Sequence, residues 1–149
     1  MAYIGPSITP LTGLNSGYQI YQVDAKTFSV TGRQTYFANI SNSLSWTTPV
    51  WEFEYDARTT YADDDDPWPD AAPLNATFWH RLTERMLQNQ TLVDLYNTFE
   101  TKSSISTLRR GGPGSAAQKI CFLRSGSGAL GNACRTKYGS LNQGRAAFV

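Results

Sequence analysis

The apolar residues of this chain change period near residue 45, and that change limits the fold more than any single motif does. Before it, Tyr18-Gln19-Ile20-Tyr21-Gln22-Val23 is dense in β-branched and aromatic residues, Asp24-Ala25-Lys26 supplies a turn, and Thr27 to Thr31 and Gln34 to Ile40 read as further strands. The Gly-, Pro- and Ser-rich residues 3 to 16 ahead of them read as a surface loop. Two or three strands with one apolar face are marginal alone, so this meander is expected to pack on something else. After residue 45 the spacing turns helical. Thr48-Pro49 reads as a helix start, with Trp51, Tyr55 and Arg58 recurring at i, i+4 and i+7 to about Thr60. A second helix is expected over Ala76 to Leu87 with Phe78, Leu82 and Met86 in one stripe, and a third over Leu92 to Phe99, with Thr91 and Asp94 resembling a capping box. A fourth, Ala116 to Leu123, follows a Ser/Gly/Arg-rich linker and precedes a glycine-rich, hairpin-like loop and a polar end. The fold class is therefore α+β. It divides into residues 1–45 (strands), 46–135 (helices) and 136–149 (polar tail).

Length and composition agree with a folded chain: 149 residues, 40% hydrophobic and 13% aromatic, can bury a core without metals. No run is long and apolar enough to span a membrane, and the N-terminal residues lack the basic and apolar regions of a signal peptide. The net charge of +1 hides a dipole. Residues 1–100 carry five basic groups against all 12 acids, and residues 101–149 carry the remaining eight basic groups with no acid. Such asymmetry marks a surface that meets opposite charge, whether an acidic part of the same molecule or an anionic membrane. Nucleic acid is disfavoured as a partner, because Phe122, Tyr138 and Phe148 are not spaced as a stacking platform and no recognition motif accompanies them.

Candidate chemistry is scarce. Asp63-Asp64-Asp65-Asp66 is the one carboxylate cluster, yet it lacks the spaced oxygens of a calcium loop and reads as a solvated turn. His80, the single histidine, has neither a second histidine at i+4 nor a nucleophile motif beside it. Gly111-Gly112-Pro113-Gly114-Ser115 lacks the lysine of a phosphate loop and reads as a joint. Trp51, Tyr55, Trp79 and Tyr96 read as helix-packing core rather than a ligand cage. Compartment signals are stronger. Asn39-Ile40-Ser41, Asn75-Ala76-Thr77 and Asn89-Gln90-Thr91 each satisfy the N-glycosylation rule. Cys121 and Cys134 enclose 12 residues; in an oxidising compartment they would close a loop worth about 3 kcal/mol, and in a reducing one they would stay thiols. A secretory pattern without a signal peptide is reconciled if Met1 lies inside a longer polypeptide.

The runs Tyr3-Ile4-Gly5-Pro6-Ser7-Ile8-Thr9, Gly13-Leu14-Asn15-Ser16-Gly17-Tyr18-Gln19-Ile20-Tyr21, Trp51-Glu52-Phe53-Glu54-Tyr55-Asp56-Ala57-Arg58-Thr59-Thr60-Tyr61 and Pro73-Leu74-Asn75-Ala76-Thr77-Phe78-Trp79-His80 resemble, in order and spacing, the C-terminal end of acid sphingomyelinase-like phosphodiesterases, particularly fungal ones. The resemblance runs from about residue 3 to about residue 135. It implies a secreted or lysosomal (vacuolar) metallophosphoesterase in which a di-zinc centre hydrolyses sphingomyelin to ceramide and phosphocholine. It also implies that residues 3–45 are the last strands of the catalytic sandwich and that a helical C-terminal domain follows. The family's metal ligands lie upstream of Pro6-Ser7, so no catalytic or metal residue is assigned here, and the upstream catalytic domain becomes the expected partner. The loop containing Thr9 and Leu11 would line the substrate rim, facing a sphingolipid, with Leu11 where relatives often carry a tyrosine. Cys121 and Cys134 resemble the family's closing disulfide, whereas a second short cysteine pair is replaced near Gly111 and Ser115. The alternative is a standalone secreted module that binds anionic lipid surfaces.

Overall fold

The computed structural model describes residues 3–10, 13–105 and 116–139, and Leu11 and the Gly111–Ser115 joint lie outside them. The described chain is α+β: β1 (Ser16–Val23), β2 (Val30–Ala38) and β3 (Glu52–Asp56) form an antiparallel sheet in the order β1-β2-β3, joined by helices α1 (Ala57–Thr60), α2 (Ala76–Gln88), α3 (Gln90–Glu100), α4 (Ala116–Arg124) and α5 (Gly128–Tyr138). The turn between β1 and β2 is set by Asp24, whose carboxylate accepts from the backbone N–H of Lys26 and Thr27 and from the Thr27 hydroxyl. Those bonds, the Thr27 backbone bond foremost, hold its carboxyl below the usual carboxylate range. Beyond the turn there is one strand where two were expected, because Tyr18 to Tyr36 and Ile20 to Gln34 pair in a continuous ladder.

Two expectations are corrected. Residues 52–56 are strand rather than helix: Glu52, Phe53, Tyr55 and Asp56 pair with Phe37, Tyr36, Thr35 and Gln34. The alternation Glu52-Phe53-Glu54-Tyr55 fits a pleat, and pairing with β2 outweighs the helix start read at Thr48-Pro49. Helix begins only at Ala57, where Asp56 Oδ1 accepts from the N–H of Arg58 and Thr59. The glycine-rich segment after α4 is likewise helix. Ser127 caps α5 by accepting from Leu130 N–H, and the Cys121–Cys134 disulfide ties that helix to α4.

Helix α2 forms as its stripe predicts, and α3 forms where a third helix was expected. Phe78, Leu82 and Met86 are buried on α2 and Leu92 and Val93 on α3, around a core shared with Tyr55, Ala57, Tyr61, Leu74 and Ile120. Burial of side chains such as Leu74, Met86 and Val93 contributes roughly 1.5–3 kcal/mol each. Asn75 caps α2, and Asn89, rather than the Thr91 box, caps α3. The Asp63–Asp66 turn is pinned rather than free: Asp63 and Asp66 pair with Arg85 and Arg81, neighbours one turn apart on α2, at 3.0 and 2.8 Å. Arg58 closes the same segment by donating to the carbonyls of Thr31, Pro69 and Ala72.

The segment before β1 is knitted to the end of α3. Buried Asn15 donates to the Lys102 carbonyl at 2.9 Å and accepts from Ile40 N–H at 3.1 Å, and Ser104 donates to the Gly13 carbonyl. Gly17 sits where these pieces cross. A Cβ there would lie 3.1 Å from the Tyr36 carbonyl and from Lys102 Cγ, and 3.2 Å from Pro6 Cβ.

Candidate functional site

Pleating gives the sheet two unlike faces. On the outer one, Tyr18 stacks on Tyr36 with ring centroids 5.1 Å apart, and Trp51 and Phe53 meet these rings edge-on at 5.0 and 5.6 Å. Trp51 was expected in the core; instead it is 38% exposed and Phe53 54%, with Ile20 nearby in β1 also open to solvent. Four joined rings on one side of a three-stranded sheet make an apolar surface of the kind that marks an interaction face.

The inner face turns Gln19, Tyr21, Arg33, Thr35 and Tyr55 toward the helices. Between them and α3 lies a cleft of about 300 Å3, bounded by Ile4, Gly5 and Pro6 on one side and by Tyr96, Phe99, Glu100 and Lys102 on the other. The wall at residues 4–6 is held in place by Tyr3, whose hydroxyl donates to the Leu74 carbonyl, and by Gly17 N–H, which donates to the Ser7 carbonyl at 3.0 Å. On the floor, Arg33 donates from Nη2 to the Tyr55 hydroxyl at 2.7 Å and lies 4.9 Å from the centroid of Trp79. Among the described residues its buried Nε–H has no partner. Burial pushes the Tyr61 phenol up, and burial together with the Glu100 charge pushes Tyr96 up to about 12, so both stay protonated. Glu100 is itself neutralised by Lys119 at 2.6 Å.

At the sheet's far edge Glu54 is mostly buried, with Oε1 accepting from Ser103 Oγ at 2.9 Å and Oε2 unpartnered. Desolvation pushes its carboxyl up to about 7, against the smaller opposing effects of the Ser103 bond and the Lys102 charge. The folded chain therefore holds this proton more tightly than the unfolded chain does. Its stabilising effect is complete below the ordinary glutamate range and is lost as pH rises through about 7. Comparing thermal melts of the native chain and Glu54→Gln at pH 5 and pH 8 should show the variant gaining about 1 kcal/mol relative to the native chain at the higher pH, a figure discounted for the water-facing part of the group. A difference that does not change with pH would refute this.

The residues read from the sequence fall as follows. Thr9 is exposed in the segment before β1, its N–H donating to Ser7 Oγ at 3.1 Å, while Leu11 lies outside the described residues. Asn39 caps the 3-10 turn Ile40–Ser45, and Asn75 and Asn89 are exposed helix caps, so all three sequon asparagines begin helical segments. The cap uses Oδ1 and leaves Nδ2, the atom a glycan would occupy. Replacing Asn75 by Ala should cost about 1 kcal/mol of stability, measured by urea unfolding of unglycosylated protein. Cys121 and Cys134 are joined. A zinc pair does not fit the residues present: His80 is on an exposed stretch of α2, 3.7 Å from Glu84, and no group of three potential ligands converges among the described residues. Sequence reasoning missed the cleft, since Arg33, Tyr55 and Tyr96 are brought together from far apart. The signal was a cation on the same strand face as Thr35, opposite Tyr21.

No helix among the described residues is long and apolar enough to cross a membrane. No known family profile matches the chain. Over 104 residues it is 35% identical to a protein of Bos taurus named sphingomyelin phosphodiesterase, an alignment covering 66% of this chain and 15% of that protein. It is 32% identical over 104 residues to sphingomyelin phosphodiesterase A of Dictyostelium discoideum, covering 70% of this chain and 16% of that protein. It is 28% identical over 110 residues to the human acid sphingomyelinase-like phosphodiesterase 3b, covering 68% of this chain and 22% of that protein. The aligned region thus spans about 15% of the length of the first curated relatives it matches.

Proposed function

We infer, from a chain homologous to the sphingomyelin phosphodiesterases and matching their C-terminal region, that it is the docking portion of a secreted or lysosomal enzyme of that kind. Its zinc-bearing catalytic domain lies in further polypeptide. The single observation that carries this reading is the outer sheet face, where Trp51 and Phe53 are exposed and join the half-buried Tyr18 and Tyr36 in an aromatic surface on the side turned away from the helices. That face would continue the core of a larger sandwich. Hydrolysis of sphingomyelin to ceramide and phosphocholine would then need zinc ligands that the partner supplies, because a bimetallic centre needs several convergent imidazoles and carboxylates. The disulfide and the three capping sequons agree with passage through an oxidising, glycosylating compartment.

The purified 149-residue chain, supplied with zinc and sphingomyelin vesicles, is expected to release no phosphocholine and to bind a hydrophobic dye or self-associate. Phe53→Asp should lower the dye signal several-fold without unfolding the chain, since Phe53 lies outside the core. Stoichiometric zinc with turnover would overturn the reading. So would a dye-silent monomer, and co-sedimentation of such a monomer with anionic vesicles would favour a standalone lipid-binding module in its place.

A further inference from the structure

The charge bookkeeping around Arg33 is incomplete within the chain. All 12 acidic side chains lie at or before Glu100, and none falls outside the described residues. Yet no carboxylate among the described residues pairs with Arg33, although Arg81, Arg85, Lys119 and Arg124 each have one. A half-buried guanidinium without a counter-ion is unfavourable unless something else compensates it. Trp79 and Tyr55 supply part of that compensation through their ring faces, and the Tyr55 hydroxyl takes one N–H. The rest of the guanidinium borders a cleft large enough for a small organic molecule, with a second cation, Lys102, on its wall. The neighbouring phenols Tyr61 and Tyr96 stay neutral, and Glu100, a carboxylate that also lines the cleft, is paired with Lys119 at 2.6 Å.

We propose that the cleft between the inner sheet face and α3 binds a small molecule bearing an oxyanion, with Arg33 as its principal cation and the Tyr96 and Phe99 rings against its stem. Arginine suits this role because its planar donors match the oxygens of a carboxylate or a phosphoryl group, and Trp79 fixes the plane in advance. Lys102 adds a longer-range attraction. Ile4, Gly5 and Pro6 border the opposite side of the cleft.

The test titrates the purified chain, at constant ionic strength, with inorganic phosphate, phenyl phosphate, benzoate and chloride. Tryptophan fluorescence and the thermal midpoint are the readouts, and Trp79→Phe assigns the fluorescence change to the ring over Arg33. Saturable binding of phenyl phosphate or benzoate is expected, tighter than inorganic phosphate by several-fold and absent for chloride. The better of the two aryl ligands tells whether a phosphoryl or a carboxylate source is preferred. Arg33→Met should weaken binding at least tenfold. Because that variant also loses packing on Trp79, Arg33→Lys and Lys102→Gln serve as companions, expected to weaken binding by about tenfold and about threefold respectively while retaining a cooperative melt. Equal responses to all four anions, or binding unchanged in Arg33→Lys, would overturn the proposal. The outcome is independent of whether the chain docks on a catalytic domain, which the dye and turnover measurements decide.

Discussion

Replacing Arg58 by Met is expected to lower the stability of the chain by about 3–5 kcal/mol. The side chain is half-buried and four of its five N–H donors are used: Nε and Nη2 reach the Thr31 carbonyl at 3.3 and 2.7 Å, Nη1 reaches Pro69 at 2.9 Å, and Nη2 also reaches Ala72. Hydrogen bonds from a charged donor contribute more than neutral ones, and their loss leaves three backbone carbonyls without that partner. These bonds join the start of β2 to the segment that carries Leu74 into the core, where Leu74 N–H also donates to Val30. Arg58→Lys should recover little, since an ammonium lacks the fork needed to reach three acceptors. Urea unfolding of both variants checks this; a lysine variant within about 0.5 kcal/mol of the native chain would show that the fork is unimportant.

Reduction of the Cys121–Cys134 bond should remove about 3 kcal/mol from the α4–α5 hairpin and release α5 first. That helix packs chiefly on α4, whereas α4 packs on α2, buries Ile120 in the core and pairs Lys119 with Glu100. Among the described residues, the bond from Gln118 to the Tyr138 carbonyl at 2.9 Å also ties α5 to α4. After reduction, trypsin should cleave at Arg135 and Lys137 well before it cuts α2, and circular dichroism should lose roughly one helix while the core transition survives. Protection of α5 unchanged by reductant would refute this account.

The legible parts of the fold were those whose signal is local. The α2 stripe of Phe78, Leu82 and Met86 and the aromatic run of β1 can be read without knowing what they touch. Strand β3 misled because Trp51, Tyr55 and Arg58 fit a helical spacing, and only the ladder with Phe37 and Tyr36 shows that the alternation of Glu52 to Tyr55 prevails. Helix α5 misled because Gly126, Gly128 and Gly131 have low helix propensity, which a serine cap and a covalent tie to α4 override. The acidic run looked solvated because its partners, Arg81 and Arg85, stand on a different element, although their spacing of four was visible. The cleft was illegible for a deeper reason. Its floor comes from β2 and β3 and its wall from α3 and residues 4–6, and no single window contains two of those surfaces.

The crossing at Gly17 bears on inheritance. Two of the atoms that a new methyl group would press upon belong to different stretches of polypeptide, and a third is a main-chain oxygen of β2, which cannot rotate aside as a side chain can. Even alanine there would force neighbours apart by a few tenths of an ångström, at the point where the leading segment, the sheet and the end of α3 meet. Among naturally varying copies of this gene, codon 17 should therefore be nearly monomorphic, while the codons for exposed Gln22 and Val23 at the end of the same strand drift more freely.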